Sequence, residues 1–227
     1  MVEVADAIER LMMRDRPIDS LPEEHQQQVR KAAALLAAEF AGTFSLETVE
    51  RCVADSYARL LDGAKVTMYL PLLGQRFARE RLQAMAKTQG LAFAQPSVLF
   101  MCVHNSGRSQ IAAAWLRHLC GDDVTVWSGG TDPGGSISAN VAQAMAEVGI
   151  DLSHEFPKPW TDEVVEGADV IITMGCGEAC PVIPGKRYED WSLLHSTGPD
   201  FESARAARDE IREHVKRLAS TLGVVSQ

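Results

Sequence analysis

One short stretch of the chain combines a nucleophile with groups suited to binding an anion. Cys102 and Arg108 lie at its two ends, and Ser109 follows directly. The five residues between them are Val103, His104, Asn105, Ser106 and Gly107. Successive amide N–H groups of such a loop can point inward at an oxyanion, and a guanidinium fork can hold two of its oxygens. A thiolate at Cys102 would then lie directly beneath a bound tetrahedral anion.

The elements on either side would position this loop. The apolar run Ser97–Cys102 predicts a buried parallel strand, and a helix-compatible stretch extends from Ser109 to Cys120. Ligands of open α/β sheets bind beyond the carboxyl ends of strands, and helix N-termini favour anions and thiolates. The Ser109 hydroxyl can donate to the sulfur, and Asn105 tolerates a left-handed backbone. The same spacing also fits a buried strand-end cysteine and an ordinary loop arginine, but the strand and the helix favour anion binding.

The cysteines are odd in number: Cys52, Cys102, Cys120, Cys176 and Cys180. A structural disulfide framework is not expected in a reducing compartment, so redox catalysis and metal binding are the alternatives to weigh. Cys176 and Cys180 follow a predicted strand, and helical spacing would put their Cα atoms roughly 6 Å apart, within disulfide reach. A buried thiol pair is another interpretation. Half a zinc site is a third, with His195 as the only obvious further ligand downstream. Cys52, on an apolar helical stripe, and Cys120, at a helix end, receive no role.

The first 90 residues show helical patterns and no convincing strand. The predicted helices run from Pro22 to about Phe40, from Ser45 to near Gly63, and from about Leu70 to Thr88. Ser20 is a candidate N-cap for the first helix, and Gly42 suits its end. Three helices joined by short loops predict a small bundle.

From Gln95 onward, short apolar runs alternate with helical stretches. Strands are predicted at Ser97–Cys102, Val124–Ser128 and Asp169–Met174, and helices at Ser109–Cys120, Ala139–Val148 and about Phe201–Leu222. Gly129 and Gly130 are expected to end the second strand. This alternation predicts βαβ units, right-handed crossovers and an α/β domain with a parallel sheet.

Composition and charge narrow the function classes. The chain has 227 residues, 46% of them hydrophobic and 23% charged, and a net charge of −9. An acidic balance argues against nucleic-acid binding, and no apolar run approaches a membrane span. The acidic N-terminus lacks the plan of a signal peptide, so a cytoplasmic protein is expected.

The acidic excess is uneven along the chain. Residues 1–92 contain 12 basic and 13 acidic residues, whereas residues 93–227 contain 10 basic and 18 acidic residues. The predicted anion-binding loop therefore lies in the acidic part. Capture of an anion must depend on short-range loop amides, the helix N-terminus and Arg108 rather than on long-range steering.

A family resemblance rests on these motifs. The stretch from Cys102 to Gln110 resembles the phosphate loop of low-molecular-weight protein tyrosine phosphatases, and is closer still to that of the arsenate reductases sharing their fold. The later segments Trp127–Thr131, Gly149–Ser153 and Asp169–Met174 also resemble those reductases, so the likeness covers roughly residues 96–222.

The N-terminal part resembles the extra three-helix domain fused to some bacterial arsenate reductases. This likeness rests mainly on Phe44–Glu50 and Arg76–Leu82. Together the resemblances imply an α/β fold with a four-stranded parallel sheet flanked by helices, preceded by a small all-α three-helix domain. The implied boundaries are 1–92 for the helical domain and 93–227 for the phosphatase-like catalytic domain.

The resemblance also implies a chemistry. The Cys102 thiolate would attack arsenate, Cys176 would attack Cys102 with loss of arsenite, and Cys180 would take over the disulfide. Thioredoxin or a similar dithiol would then reduce the Cys176–Cys180 bond. Residues 103–108 would bind the substrate, and Arg108 and Ser109 would take part in catalysis. No cofactor, potassium site or other metal site is predicted.

One position departs from the family pattern. The family places an Asp-Pro pair after the last strand as general acid, and here His195 and Ser196 occupy that place. His195 is the favoured acid, and Asp190 and Asp200 are alternative acids. A third alternative is an enzyme that is slow or inactive with arsenate.

Two other functions stay open at this point. One is a low-molecular-weight phosphotyrosine phosphatase, and the other is a non-catalytic oxyanion or redox sensor. The retained cysteine pair favours the reductase. The N-terminal helices could serve a homodimer, partner docking or stabilisation of the catalytic domain.

Overall fold

The computed structural model describes residues 17–62, 64, 67–91, 95–175, 184–194 and 200–224. Within these ranges the α-helices are α1 (Glu23–Glu39), α2 (Leu46–Leu61), α3 (Leu70–Thr88), α4 (Arg108–Cys120), α5 (Ala139–Ala146), α6 (Asp162–Gly167) and α7 (Phe201–Leu222). The strands are β1 (Ser97–Cys102), β2 (Thr125–Gly130), β3 (Val170–Thr173) and β4 (Arg187–Asp190). Short 3-10 helices cover Ile18–Ser20 and Gly121–Asp123. No described helix combines the length and apolar character needed to cross a bilayer.

The chain forms two compact units whose boundary does not follow chain order alone. The first unit contains the residues up to Ala92 together with Thr161–Gly167, which include α6. The second contains Phe93–Trp160 and Ala168–Gln227. A short helix from between β2 and β3 is therefore part of the helical unit. The division into separate domains at residue 92 remains a proposal.

Local sequence explains the helices of the first unit. Ser45 caps α2, its side chain accepting a hydrogen bond from the Thr48 amide at 3.1 Å. Gly42, with φ of +81°, follows α1 in the left-handed conformation that its sequence position predicts. The predicted Ser20 cap is wrong. Ser20 belongs to a 3-10 helix and donates its hydroxyl hydrogen bond to the Pro17 carbonyl, because Pro22 takes the N-cap position of α1.

Packing and a buried charge network hold this unit together. The apolar stripes of the helices are buried, as predicted for Cys52. Arg81 of α3 is fully buried and donates to the carboxylates of Asp55 and Glu163, at 2.8 Å each, and to the Ser56 hydroxyl. Since Asp55 lies on α2 and Glu163 on α6, one guanidinium links three helices.

The second unit is built on a parallel sheet with the strand order β2–β1–β3–β4. The core strands are apolar because both faces are covered. Apolar residues of α4, α5 and α7 pack with β1 in one core. The fold prediction, a four-stranded parallel sheet with helices after three N-terminal helices, is confirmed.

The second strand differs from its prediction in an informative way. It continues through Gly129 and Gly130 instead of ending before them. A Cβ on Gly129 would lie 2.8 Å from the Trp160 Cα, and a Cβ on Gly130 would lie 2.6 Å from the Val103 carbonyl oxygen. These glycines permit close approach of the backbone at Trp160 and Val103, and both of them belong to the strand.

Candidate active site

The candidate nucleophile lies at the carboxyl end of a central strand. Cys102 is the last residue of β1 and is paired in register with Gly130 of β2. Its side chain is almost fully buried, with 2% of the residue exposed. The Ser109 hydroxyl lies 3.0 Å from the sulfur, and the Asn105 amide donates to the sulfur at 3.3 Å. These contacts suit a thiolate, which accepts hydrogen bonds.

The loop after Cys102 is held with its carbonyl groups turned outward. Each carbonyl oxygen from Cys102 to Gly107 accepts a hydrogen bond at 2.8–3.2 Å. The donors are, in order, the amides of Thr131, Asp132 and Gly134, the side chain of Gln110, and the amides of Ser138 and Ile111. All described peptide bonds are trans, so the N–H of each bond points opposite to its C=O. The amides from Val103 to Arg108 therefore face the inside of the loop, where an oxyanion would bind.

Asn105 is the hub that maintains this conformation. It is fully buried and has φ of +47°, the one positive value at a non-glycine residue in the described chain. Its Oδ1 accepts from the Lys158 amide at 3.0 Å and from Gln110 Nε2 at 3.1 Å. Its Nδ2 donates to the Ser109 hydroxyl oxygen at 2.8 Å. While that oxygen accepts from Asn105, the Ser109 hydroxyl can donate its proton to a Cys102 thiolate, whose sulfur lies 3.0 Å away.

Arg108 begins α4 and lies against the backbone that follows β3. An ideal Cβ on Gly175 would stand 2.7 Å from Nη1 and 3.7 Å from Cζ of Arg108. Gly175 also has φ of +73°. The guanidinium is thus packed on a glycine two residues beyond the end of β3, at the same edge of the sheet as the loop.

The alternative acids have different surroundings. Asp190 ends β4, and its carboxylate accepts from the Thr173 hydroxyl at 2.6 Å. Asp200 caps α7, and its carboxylate accepts from the amide and hydroxyl of Ser203 at 2.8 Å each. These hydrogen bonds hold the pKa of Asp200 below its usual range, which makes it a poor proton donor at neutral pH. His104 is exposed, and Asp132 lies beside its ring.

Three predicted site residues, Cys176, Cys180 and His195, lie outside the described residues. The structure brings together the remaining ones, which are Cys102, the loop residues Val103 to Arg108, and Ser109. The other two cysteines are buried core residues. Burial raises the pKa of Cys52 to about 11 and also raises the pKa of Cys120, so both remain protonated thiols.

The sequence interpretation missed several residues that shape the site. Gln110 and Lys158 hold Asn105, and Gly130 leaves room for the Val103 carbonyl. Gln110 immediately follows the motif, and that position was a usable signal. Lys158 offered none, because its contact is made by a backbone amide 53 residues along the chain from Asn105.

An amide-lined loop with a basal cysteine, at the carboxyl edge of a parallel sheet, defines a phosphatase-type anion site. The family model for low molecular weight phosphotyrosine protein phosphatases matches residues 97–223. The model for the N-terminal domain of protein-tyrosine-phosphatase-like proteins matches residues 29–86. The chain belongs to the low molecular weight phosphotyrosine protein phosphatase family.

Relatives within this family are reductases by name. The chain is similar to a solved thioredoxin-dependent arsenate reductase of Corynebacterium glutamicum, with 40% identity and a TM-score of 0.79, covering 88% of this chain and 98% of that one. It is 34% identical to an arsenate reductase of Bacillus licheniformis over 135 residues, 55% of this chain and 96% of the relative. It also resembles a solved arsenate reductase in the phosphate-binding state, with 29% identity and a TM-score of 0.50, covering 56% of this chain and 99% of that one.

Proposed function

We propose that this protein is a thioredoxin-coupled arsenate reductase. The observation that carries the proposal is the buried Cys102 sulfur, at the base of a loop whose amides face inward and whose last residue is Arg108. Arsenate is a tetrahedral oxyanion that suits such a loop. Similarity to reductases over both units, together with the Cys176 and Cys180 pair, supports reduction over simple hydrolysis.

The proposed first step is nucleophilic attack. The Cys102 thiolate attacks the arsenic atom, an oxygen leaves as water after protonation, and a covalent sulfur–arsenic(V) bond forms. The loop amides and Arg108 stabilise the charge on the remaining oxygens. Ser109 supports the thiolate before attack and when it is released.

The proposed second step reduces arsenic. The Cys176 thiolate attacks the Cys102 sulfur, the sulfur–arsenic bond breaks, and its electron pair leaves with arsenic as arsenite. Two thiols are thereby oxidised to a Cys102–Cys176 disulfide, which balances the two-electron reduction of arsenic. Cys180 then attacks Cys176 and regenerates the Cys102 thiolate, and the dithiol of thioredoxin reduces the Cys176–Cys180 disulfide.

For the proton on the leaving oxygen, His195 is our proposed donor. Asp200 is a poor candidate for this proton donor, because its carboxylate caps α7 and its pKa is lowered. We expect His195→Ala to lower arsenate turnover far more than Asp200→Asn does. Equal turnover near the wild-type rate in both variants would exclude His195.

A coupled assay tests the function. The protein is incubated with arsenate, thioredoxin, thioredoxin reductase and NADPH, and NADPH consumption is followed. Arsenate-dependent oxidation that is abolished by Cys102→Ser, Cys176→Ser and Cys180→Ser singly would support the relay, with Cys52→Ser and Cys120→Ser as matched controls. Hydrolysis of an aryl phosphate without NADPH use would instead support a phosphatase. If neither arsenate reduction nor aryl phosphate hydrolysis is observed, a non-catalytic oxyanion or redox sensor is the remaining function.

A cytoplasmic location, where thioredoxin keeps thiols reduced, is part of the proposal. A homodimer through the N-terminal helices is a separate proposal. Measurement of the solution mass of the full chain tests it.

A further inference from the structure

We infer that Gly175 is a positioning residue for the oxyanion site, acting through Arg108. The inference rests on the proposed function for the identity of the substrate. The absence of a side chain at residue 175 lets the backbone pack against the guanidinium and hold it in place for an anion.

The first observation is the distance between the two residues. A Cβ at residue 175 would stand 2.7 Å from Arg108 Nη1, a separation that Cβ atoms do not tolerate. The neighbour is the far end of a flexible side chain, so it would move aside rather than unfold the protein. That displacement would move the planar fork away from its bidentate position on the anion.

The second observation is that the glycine itself is firmly placed. The preceding Met174 is fully buried, and its amide donates to the Met101 carbonyl at 2.9 Å. Met101 directly precedes Cys102 on β1. Residue 175 therefore follows directly on an anchored residue beside the loop, and its backbone has a φ of +73°.

The third consideration is the cost of ordering Arg108. A long side chain loses rotamer freedom when it binds an anion. If the side chain is already packed before the anion binds, less conformational entropy is lost on binding. Gly175 supplies a flat backbone surface for this purpose. In the sequence, residue 175 directly precedes Cys176, the proposed resolving cysteine.

The test measures phosphate binding to the full chain by titration calorimetry, because phosphate needs no relay. Gly175→Ala should weaken phosphate binding roughly tenfold or more, as expected for a misplaced charge-assisted hydrogen bond. Gly149→Ala is the matched control. It has a similar φ of +78° and nothing within 4 Å of its would-be Cβ, so it carries the backbone strain without the contact.

A second variant separates strain from contact. In Gly175→Asn, the new asparagine tolerates a positive φ better than alanine does, but it still introduces a Cβ. We expect it to weaken phosphate binding as Gly175→Ala does, and it keeps the test available if the alanine variant fails to fold. Wild-type phosphate affinity in the asparagine variant would overturn the inference.

A double-mutant comparison shows whether Gly175 acts through Arg108. In an Arg108→Lys background, which lacks the planar fork, adding Gly175→Ala should change phosphate affinity little. If the losses of phosphate affinity in the two single variants simply multiply in the double variant, the inference is wrong.

In the arsenate assay, Gly175→Ala should raise KM more than it lowers kcat. Absence of arsenate reduction with this phosphate pattern intact would count against the proposed function alone.

Discussion

At the scale of single residues, the site depends on side chains that organise the loop as much as on Cys102. Asn105 has a left-handed backbone conformation, and its side chain makes three hydrogen bonds, to Lys158, Gln110 and Ser109. The bond to Ser109 holds a hydroxyl that lies 3.0 Å from the Cys102 sulfur and can donate to a thiolate there. The nucleophile is therefore supported by a chain of polar contacts that extends away from the substrate.

Replacement of Asn105 separates backbone strain from side-chain bonding. Asn105→Ala should lower the free energy of unfolding by about 2–4 kcal/mol, because buried donors lose their acceptor and alanine is strained at positive φ. Asn105→Gly should recover about 1 kcal/mol of this loss by removing the strain. Both should raise the arsenate KM. Urea unfolding and steady-state kinetics measure these effects, and a glycine variant with wild-type KM would refute the role of the side chain.

Asp200 provides a pH-dependent prediction. Its folded-state pKa lies below the unfolded value, because Ser203 donates two hydrogen bonds to the carboxylate. Its contribution to stability is therefore present above the ordinary pKa of about 3.9 and is lost as the pH falls through the lower folded-state value. Asp200→Ala should lower the melting temperature at pH 7 but leave kcat unchanged.

Thermal unfolding at acidic pH tests the direction in which the contribution of Asp200 to stability changes with pH. The difference in melting temperature between wild type and Asp200→Ala should shrink on acidification below about pH 4. A difference that grows under these conditions would show that the carboxylate is not stabilised in the folded state.

At the scale of elements, α6 is joined to α2 and α3 by buried charges. Burial alone would raise the pKa of Glu163, but the charge and hydrogen bond of Arg81 outweigh it and leave the pKa below its ordinary value. Asp55 receives a further bond from Arg59 at 2.7 Å. The network is stable only as a set, since each charge compensates the burial of another.

Removal of the central guanidinium should therefore be costly. Arg81→Leu should lower the free energy of unfolding by roughly 3–5 kcal/mol, because Glu163 loses its arginine partner and Asp55 keeps only its bond with Arg59. Arg79→Leu is the matched control on the same helix. It removes an exposed pair with Glu39, bonded at 2.9 Å, and should cost less than about 1 kcal/mol. Chemical denaturation distinguishes the two, and equal losses would contradict a buried network.

At the scale of the whole molecule, the two units share one chain in an interleaved order. The helical unit is completed by α6, which lies between β2 and β3 in the sequence. The side chains of Val164 and Val165 on α6 are buried, and a Cβ on Gly167 would lie 2.9 Å from the Ala84 Cβ of α3. The N-terminal helices thus give α6 its packing surface.

Truncation should expose this dependence. A fragment of residues 93–227 should melt at a lower temperature than the full chain and bind a hydrophobic dye, because α6 loses α3. The substitutions Val164→Ser and Val165→Ser in the same fragment should reduce dye binding. A fragment that melts at the wild-type temperature would show that the residues before 93 contribute no stability.

The sequence by itself determined the parts of this protein that depend on local patterns. The bounds of α3 and α7, the cap at Ser45 and the strand–loop–helix around Cys102 all follow from hydrophobic period, capping chemistry and motif spacing. The chemistry of the loop was also predictable, because residue types and order define an anion site.

Only the tertiary structure decided which distant groups complete these parts. The Lys158 amide, the closeness of Gly175 to Arg108 and the membership of α6 in the helical unit depend on contacts between residues far apart in the chain. Local periodicity carries no information about such contacts. The glycines of β2 illustrate the reason, since the same residue that suggests a strand end in the sequence serves close backbone packing in the fold.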